Sequence, residues 1–264
     1  MMFDRALTVM AWLVVAFILG PLIVIIGASF TTTPFVAFPP QGFTLHWYEE
    51  LLGRGDFLES FVDSVLLAAA ATVGAAAIGI PSALGLRYGS ESSRLVLHSL
   101  VMAPLTLPTI ATGVALLQFY YTLDLDIPVL GLVAAHVLIT VPYFIRTVGA
   151  GLETLDPSLE EAAESLGAGS LRTLLKVTLP GVAPSIFAAM IFVFITSFDQ
   201  VTISVFLANA DMMPLPIRIY TFIEFAIDPM LAALSTVLIL MSFVFVVGLQ
   251  KLLGIERAFS GGSK

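Results

Sequence analysis

Polar residues in this chain are confined to short intervals between long apolar runs. A helix that crosses a bilayer needs about 20 consecutive, mostly apolar residues, and six runs of that length are bounded by charges or turn residues. They fall at 6–29, 60–84, 98–122, 127–150, 184–208 and 229–252. The expected fold is therefore all-α, a polytopic membrane protein with one transmembrane domain over residues 1–264. The first run is longer than the ~7–15-residue apolar core of a secretory signal and no A-x-A site follows it, so it is expected to remain as an anchor helix. In the second run the small residues Ala68–Ala71, Gly74 and Ala75–Ala77 allow close helix approach, and packing is their simplest use.

Composition agrees with this reading and narrows the chemistry. The chain is 58% hydrophobic and 11% charged, with a mean hydropathy of +1.02, against roughly 25% charged residues in a soluble domain. The absence of cysteine excludes a disulfide scaffold, a thiolate metal site and a cysteine nucleophile. A phosphate-binding loop ends in G-K-[ST], but Lys176, Lys251 and Lys264 follow Leu175, Gln250 and Ser263. His46, His98 and His136 are far apart without an H-x-x-x-H pair, so hydrogen-bonded histidines at span ends or packing faces are expected rather than a zinc site. Ser82, Ser165 and Ser197 lack the glycines of a nucleophile elbow. No catalytic constellation is present, so the chain is expected to be no enzyme, to bind no cofactor or nucleic acid itself, and to draw energy from a partner.

Orientation follows from the basic residues, which cytoplasmic loops retain. With both termini inside, the inner segments hold Arg5, Arg87, Arg94, Arg146, Arg172, Lys176, Lys251, Arg257 and Lys264, and the outer loops only Arg54 and Arg218. The outer segments also carry ten acids, Glu49, Glu50, Asp56, Glu59, Asp63, Asp124, Asp126, Asp211, Glu224 and Asp228. An acidic entry face attracts cations and disfavours anions. Depletion of outer bases is, however, common to membrane proteins in general.

One inner loop, residues 151–183, differs from the rest of the chain. Within it, Glu160, Glu161, Glu164, Arg172 and Lys176 punctuate a segment that predicts two short helices joined by a turn. Asp156-Pro157 supplies an N-cap and a proline at the first helical position. Leu159, Ala162, Ala163 and Leu166 recur at i, i+3, i+4 and i+7, placing an apolar stripe on one face with the glutamates turned away. Gly167 can take the left-handed geometry that ends a helix, Ser170 can cap the next, and Pro180 is expected to stop it. A two-turn helix is too short to hold itself in water, so the stripe must be buried. Its cover is either the protein's own inner face, lipid headgroups, or another protein.

These residues carry a resemblance. Glu161-Ala162-Ala163, three residues, Gly167, nine residues, then Val177-x-Leu179-Pro180 resembles the EAA loop of the inner-membrane permease subunits of ABC importers, with valine where isoleucine is usual. Ala103-Pro104-Leu105-Thr106-Leu107-Pro108, Ser197-Phe198-Asp199-Gln200-Val201 and Leu215-Pro216-Ile217-Arg218 before Asp228-Pro229 are similar to the spermidine/putrescine type, its C-like subunit in particular. The resemblance implies the type I importer permease fold in a bacterial inner membrane. It further implies a second, homologous permease, a pair of ATPase subunits holding ATP and magnesium, and a periplasmic binding protein. By it, Leu159, Glu161, Ala162, Ala163, Leu166, Gly167, Val177, Leu179 and Pro180 form the ATPase-coupling site. The implied function is ATP-driven import by alternating access of a polyamine or related organic cation. The alternatives are another small solute, such as an amino acid or phosphonate, and a secondary transporter, which would need more than one acid within its spans.

The clear ionisable residue inside a predicted span is Asp199, in Thr196-Ser197-Phe198-Asp199-Gln200-Val201-Thr202. Helical spacing would gather Thr196, Phe198, Asp199, Gln200 and Thr202 over about two turns as a candidate substrate pathway. The competing reading has Asp199 bonded to a neighbouring helix or capping a broken one. Pro104, Pro108 and Pro142 permit kinks compatible with gating or with static packing.

Overall fold

The computed structural model describes residues 2–225 and 228–253. Arg257 and Lys264, counted above toward the inner face, lie outside them, as does the end of the expected domain. The described residues form α1 (Met2–Ala28), α2 (His46–Gly53), α3 (Gly55–Tyr88), α4 (Glu91–Thr106), α5 (Thr109–Thr122), α6 (Pro128–Thr154), α7 (Pro157–Ser165), α8 (Ser170–Thr173), α9 (Leu179–Phe198), α10 (Ser204–Leu207), α11 (Leu215–Phe225) and α12 (Pro229–Leu253). A π-helical turn, Leu174–Thr178, joins α8 to α9. No β-strand occurs among the described residues.

The first, second, fourth and sixth predicted runs correspond to α1, α3, α6 and α12. The third and fifth do not match as drawn. At Leu107-Pro108 the chain turns by 102°, splitting the expected third span into α4 and α5. A residue before proline is driven to extended backbone, and Leu107 sits there at φ −93°, ψ 139°. Pro104 and Pro142, by contrast, are carried inside α4 and α6.

The fifth apolar helix begins and ends earlier than predicted. A continuous helical stretch runs over Ser170–Phe198, so Pro180 does not stop a helix and the second short helix expected in the 151–183 loop is the start of this one. The wide turn resolves the conflict: Leu179 donates its backbone N–H to Leu174, five residues back. This π turn lies where the Pro180 ring would otherwise meet the carbonyl of Lys176. Ser170 is the first helical residue rather than the cap, a place taken by Gly169 without a side-chain bond. At the far end the helix stops at Phe198, and the rest of the predicted run is a break followed by α10.

Four helices are long and apolar enough to cross a membrane among the described residues, and the bent α4–α5 pair, counted as one broken span, brings the number to five. The apolar part of α12, Pro229–Phe245, is shorter. Contacts divide the chain into two compact units, Met1–Phe57 with Ile219–Lys264, and Leu58–Arg218.

In the first unit α12 packs on α1 and α2. The Trp47 indole N–H donates to the Thr31 carbonyl at 2.7 Å, and Phe30 stacks on Phe43 with ring centroids 4.9 Å apart. The Arg54 guanidinium forks onto Asp56 and lies over the rings of Phe57 and Phe222. Trp12 and Phe17 of α1 are exposed.

In the second unit α6 is the central helix, and its contact with α9 is the most extensive between helices. One core gathers Phe144, Ile145, Val148 and Leu152 of α6 with Ala75 and Ala83 of α3 and Val182, Ala189 and Val193 of α9. A second joins Leu132, Ala135 and Ile139 to Leu67 and to Ile203, Leu207 and Met212. Part of the small-residue stretch of α3 serves packing, as expected, while Ala69, Ala70 and Ala77 are exposed. Ala68, Ala71 and Ala75 are fully buried, and a Cβ added at Gly74 would meet Val137 at 2.6 Å.

Candidate functional site

Helix α7 is built by its ends. Asp156 accepts from the Ser158 N–H at 2.9 Å and Pro157 follows at the first helical position, as the sequence predicts. Those bonds hold the exposed Asp156 carboxyl below its ordinary pKa. At the other end Gly167 has φ +83°. Its N–H reaches the Glu164 carbonyl at 2.9 Å and the Ala168 N–H reaches Ala163 at 3.0 Å, the paired bonds of a Schellman turn.

The faces of α7 are arranged differently from expectation. Leu159 is 50% exposed and Leu166 90%, and Ala162 is exposed while Ala163 is half-buried. Apart from Ala163, the stripe is thus left largely uncovered by the protein's own described residues. What anchors the helix is a glutamate, so the glutamates are not all turned away. Glu160 faces inward with its side chain 16% exposed. Its carboxylate accepts from Arg87 Nη2 at 3.0 Å, from the Tyr88 hydroxyl at 2.5 Å and from the Thr178 hydroxyl at 2.5 Å. Arg87 also donates to the Leu152 carbonyl and lies over the Tyr88 ring. One carboxylate therefore ties α7 to the end of α3 and to the π turn, and through Arg87 to the end of α6.

Burial alone would raise the Glu160 pKa, but the Thr178 and Tyr88 hydrogen bonds and the Arg87 charge outweigh it and hold the group below the usual glutamate value. For a depressed carboxylate the stabilisation is present above the ordinary pKa and is lost as pH falls through the lowered one. The tie is accordingly intact at neutral pH. Sequence reasoning missed Glu160 because its partners are remote in the chain.

The other residues of the candidate coupling site lie in this helix or after it. Glu161 is exposed, Val177 and Leu179 are half-buried on the π turn and the start of α9, and Pro180 is exposed. Beside α7 a cleft of about 1080 Å³ opens between α3, α4 and α6, with Arg94, His98 and Arg146 among its lining residues.

The five candidate pathway residues do not share one helical face. Thr196 and Phe198 are on α9, with Phe198 edge-on to Phe61 at 5.9 Å. Asp199 is the C-cap of α9, its N–H bonded to the Ile195 carbonyl at 3.1 Å, and its side chain is exposed. Gln200 and Thr202 follow in the break, where Gln200 Oε1 accepts from the Thr202 N–H at 3.1 Å. Asp199 thus stands at the end of a broken helix rather than mid-helix.

A buried histidine fixes that break. His136 of α6, fully buried, bonds the Ser197 hydroxyl through Nδ1 at 2.7 Å and the Ser204 hydroxyl through Nε2 at 2.9 Å. Ser204 itself donates to the Gln200 carbonyl at 2.7 Å, so it accepts from His136 Nε2–H and Ser197 donates to Nδ1. The helix before the break and the helix after it are thereby held to one side chain, as the hydrogen-bonded reading of this histidine anticipated.

Comparison with known proteins bears on this geometry. Residues 75–254 match the model of the family described as "Binding-protein-dependent transport system inner membrane component". The chain is similar to the spermidine/putrescine transport system permease protein PotC of Shigella flexneri, at 29% identity covering 94% of this chain and 93% of that protein. It is also 30% identical to the putrescine transport system permease protein PotI of Escherichia coli K12, covering 86% and 85% respectively. In fold it is similar to a chain of a bacterial ABC transporter involved in import of the acidic polysaccharide alginate, with TM-score 0.74, 18% identity and coverage of 94% and 96%. A second likeness, to a chain of an amino acid ABC transporter, has TM-score 0.60 at 18% identity, covering 81% of this chain and 99% of that one.

Proposed function

The chain belongs to the inner-membrane components of binding-protein-dependent transport systems, and from that premise we propose that it imports a polyamine or related organic cation by alternating access. It is a multi-pass inner-membrane permease subunit without an ATPase of its own. In the proposed assembly a second, homologous permease completes the path, a pair of ATPase subunits binds ATP, and a binding protein delivers solute to the outer mouth. Six spans with both termini in the cytoplasm place α7 inside. They combine α1, α3, the bent α4–α5 pair, α6, α9 and α12 as one transmembrane domain.

The observation that carries this reading is the exposed apolar stripe on an anchored helix. Leu159, Ala162 and Leu166 face away from the chain while Glu160 holds α7 in place. Such a surface suits an ATPase cleft, with Glu161 at its edge. Lipid is the weaker occupant, because interfacial helices rely on Lys and Arg on their polar face. Helix α7, Pro157–Ser165, carries Glu160, Glu161 and Glu164 and no base.

The cation reading is supported by the acidic outer segments and by the likeness to polyamine permeases. Its test is a thermal-shift screen of the partner binding protein against polyamines, amino acids, phosphonates and sugars. A ligand at 100 times its Kd stabilises the folded state by about 2.7 kcal/mol, a clear rise in Tm. Polyamines are expected to produce it; a response to anions alone would overturn the cation reading.

The pathway assignment rests on Asp199, whose carboxylate makes no hydrogen bond or ion pair among the described residues. Asp199→Asn is expected to lower uptake more than it lowers assembly with the partner subunits. Uptake unchanged from wild type would return Asp199 to a capping role.

A further inference from the structure

Glu160 has three donors converging on its carboxylate, and they come from elements that the chain brings together only in the folded state. Arg87 and Tyr88 end α3, Thr178 lies in the π turn that leads into α9, and Arg87 reaches the Leu152 carbonyl of α6. The Arg87 and Glu160 side chains are 19% and 16% exposed, so water competes weakly for the pair. Among the described residues no comparable polar tie links the exposed stripe of the same helix to the chain. Besides its backbone connections, α7 therefore has a short polar route into α3, α6 and the π turn that leads into α9.

We propose that Glu160 is a positioning residue of the coupling step: its carboxylate makes α7, the end of α3 and the π turn move as one body when the ATPase closes. This rests on the reading of α7 as the ATPase-docking helix. Glu160 touches neither solute nor nucleotide in this scheme. It acts through Arg87, Tyr88 and Thr178. The four groups form a unit, so removing any one of them loses most of what removing two would lose.

The natural absence of cysteine makes the test direct. In the reconstituted complex, Glu160→Gln and Arg87→Gln are each expected to retain the ATPase on purification yet move severalfold less solute per ATP hydrolysed. The double variant is expected to be no worse than either single one. In a second variant, Glu160→Cys with Thr178→Cys, the coupling ratio is expected to fall in the reduced state and to recover when a short thiol crosslinker joins the two positions. Recovery is a result that a purely stabilising role would not produce.

Wild-type coupling by Glu160→Gln with the ATPase bound overturns this proposal alone, and so does a crosslinked complex that stays uncoupled. Loss of the ATPase from Glu160→Gln also overturns it, because Glu160 would then serve the docking contact itself. A wild-type chain that binds no ATPase overturns the docking reading, and this proposal with it.

Discussion

A chain carrying Leu159→Asp and Leu166→Asp is expected to insert normally and to emerge from purification without its ATPase. Leu159 and Leu166 are 50% and 90% exposed, so neither change removes packing of consequence within the chain. Each leucine buried in a partner cleft contributes roughly 1.5–3 kcal/mol, and a carboxylate put in its place must also be stripped of water. Two losses amount to roughly 3–6 kcal/mol, or two orders of magnitude or more in affinity. The measurement is co-purification of the ATPase at matched expression. Retention of the ATPase at wild-type level would overturn the docking role of the stripe.

The second large effect is expected at Gly167. Its φ of +83° lies in the left-handed region, while a Cβ built there meets nothing within 4 Å. The cost of a substitution is therefore backbone strain alone. Gly167→Val places a β-branched residue where an L side chain is disfavoured by roughly 1–2 kcal/mol or more. The turn then lies several- to about thirtyfold further from its native geometry in population. Solute-stimulated ATP hydrolysis should fall accordingly, with insertion intact. Gly167→Asn should be close to wild type, because asparagine tolerates this conformation best among residues with a side chain. Equal loss in both variants would assign the defect to something other than backbone geometry, and full stimulation in Gly167→Val would count against the turn's role.

Much of α7 was legible in the sequence because its determinants are local. A cap acts over two residues, a Schellman turn over six, and an amphipathic stripe over two helical turns. Asp156, Pro157, Leu159 and Gly167 therefore stand where pattern alone puts them. The same locality explains the errors. Proline at 180 is a stop signal by pattern, but a π turn ending two residues before it lets the helix continue. Leu107-Pro108 permitted a kink, and whether that kink is slight or 102° depends on what α4 and α5 pack against.

The candidate pathway segment shows the limit most clearly. Apolar periodicity carries the predicted helix past Asp199, yet the chain breaks there and holds the break with His136, a residue of α6. Nothing near Asp199 announces that histidine. Its signal in the sequence was only that of an apolar run containing one group in need of partners.

By itself, the sequence determined that this is a helical membrane protein, where most of its apolar helices lie, and that one polar loop between them carries a capped amphipathic helix of permease type. Those properties follow from the free energy of placing each residue in lipid or water and from bonds between near neighbours. Only the tertiary structure decided which face of that helix is free and which is anchored. A carboxylate's orientation depends on the donors around it, and those of Glu160 reside on Arg87, Tyr88 and Thr178, brought together by the packing of α6 against α3 and α9.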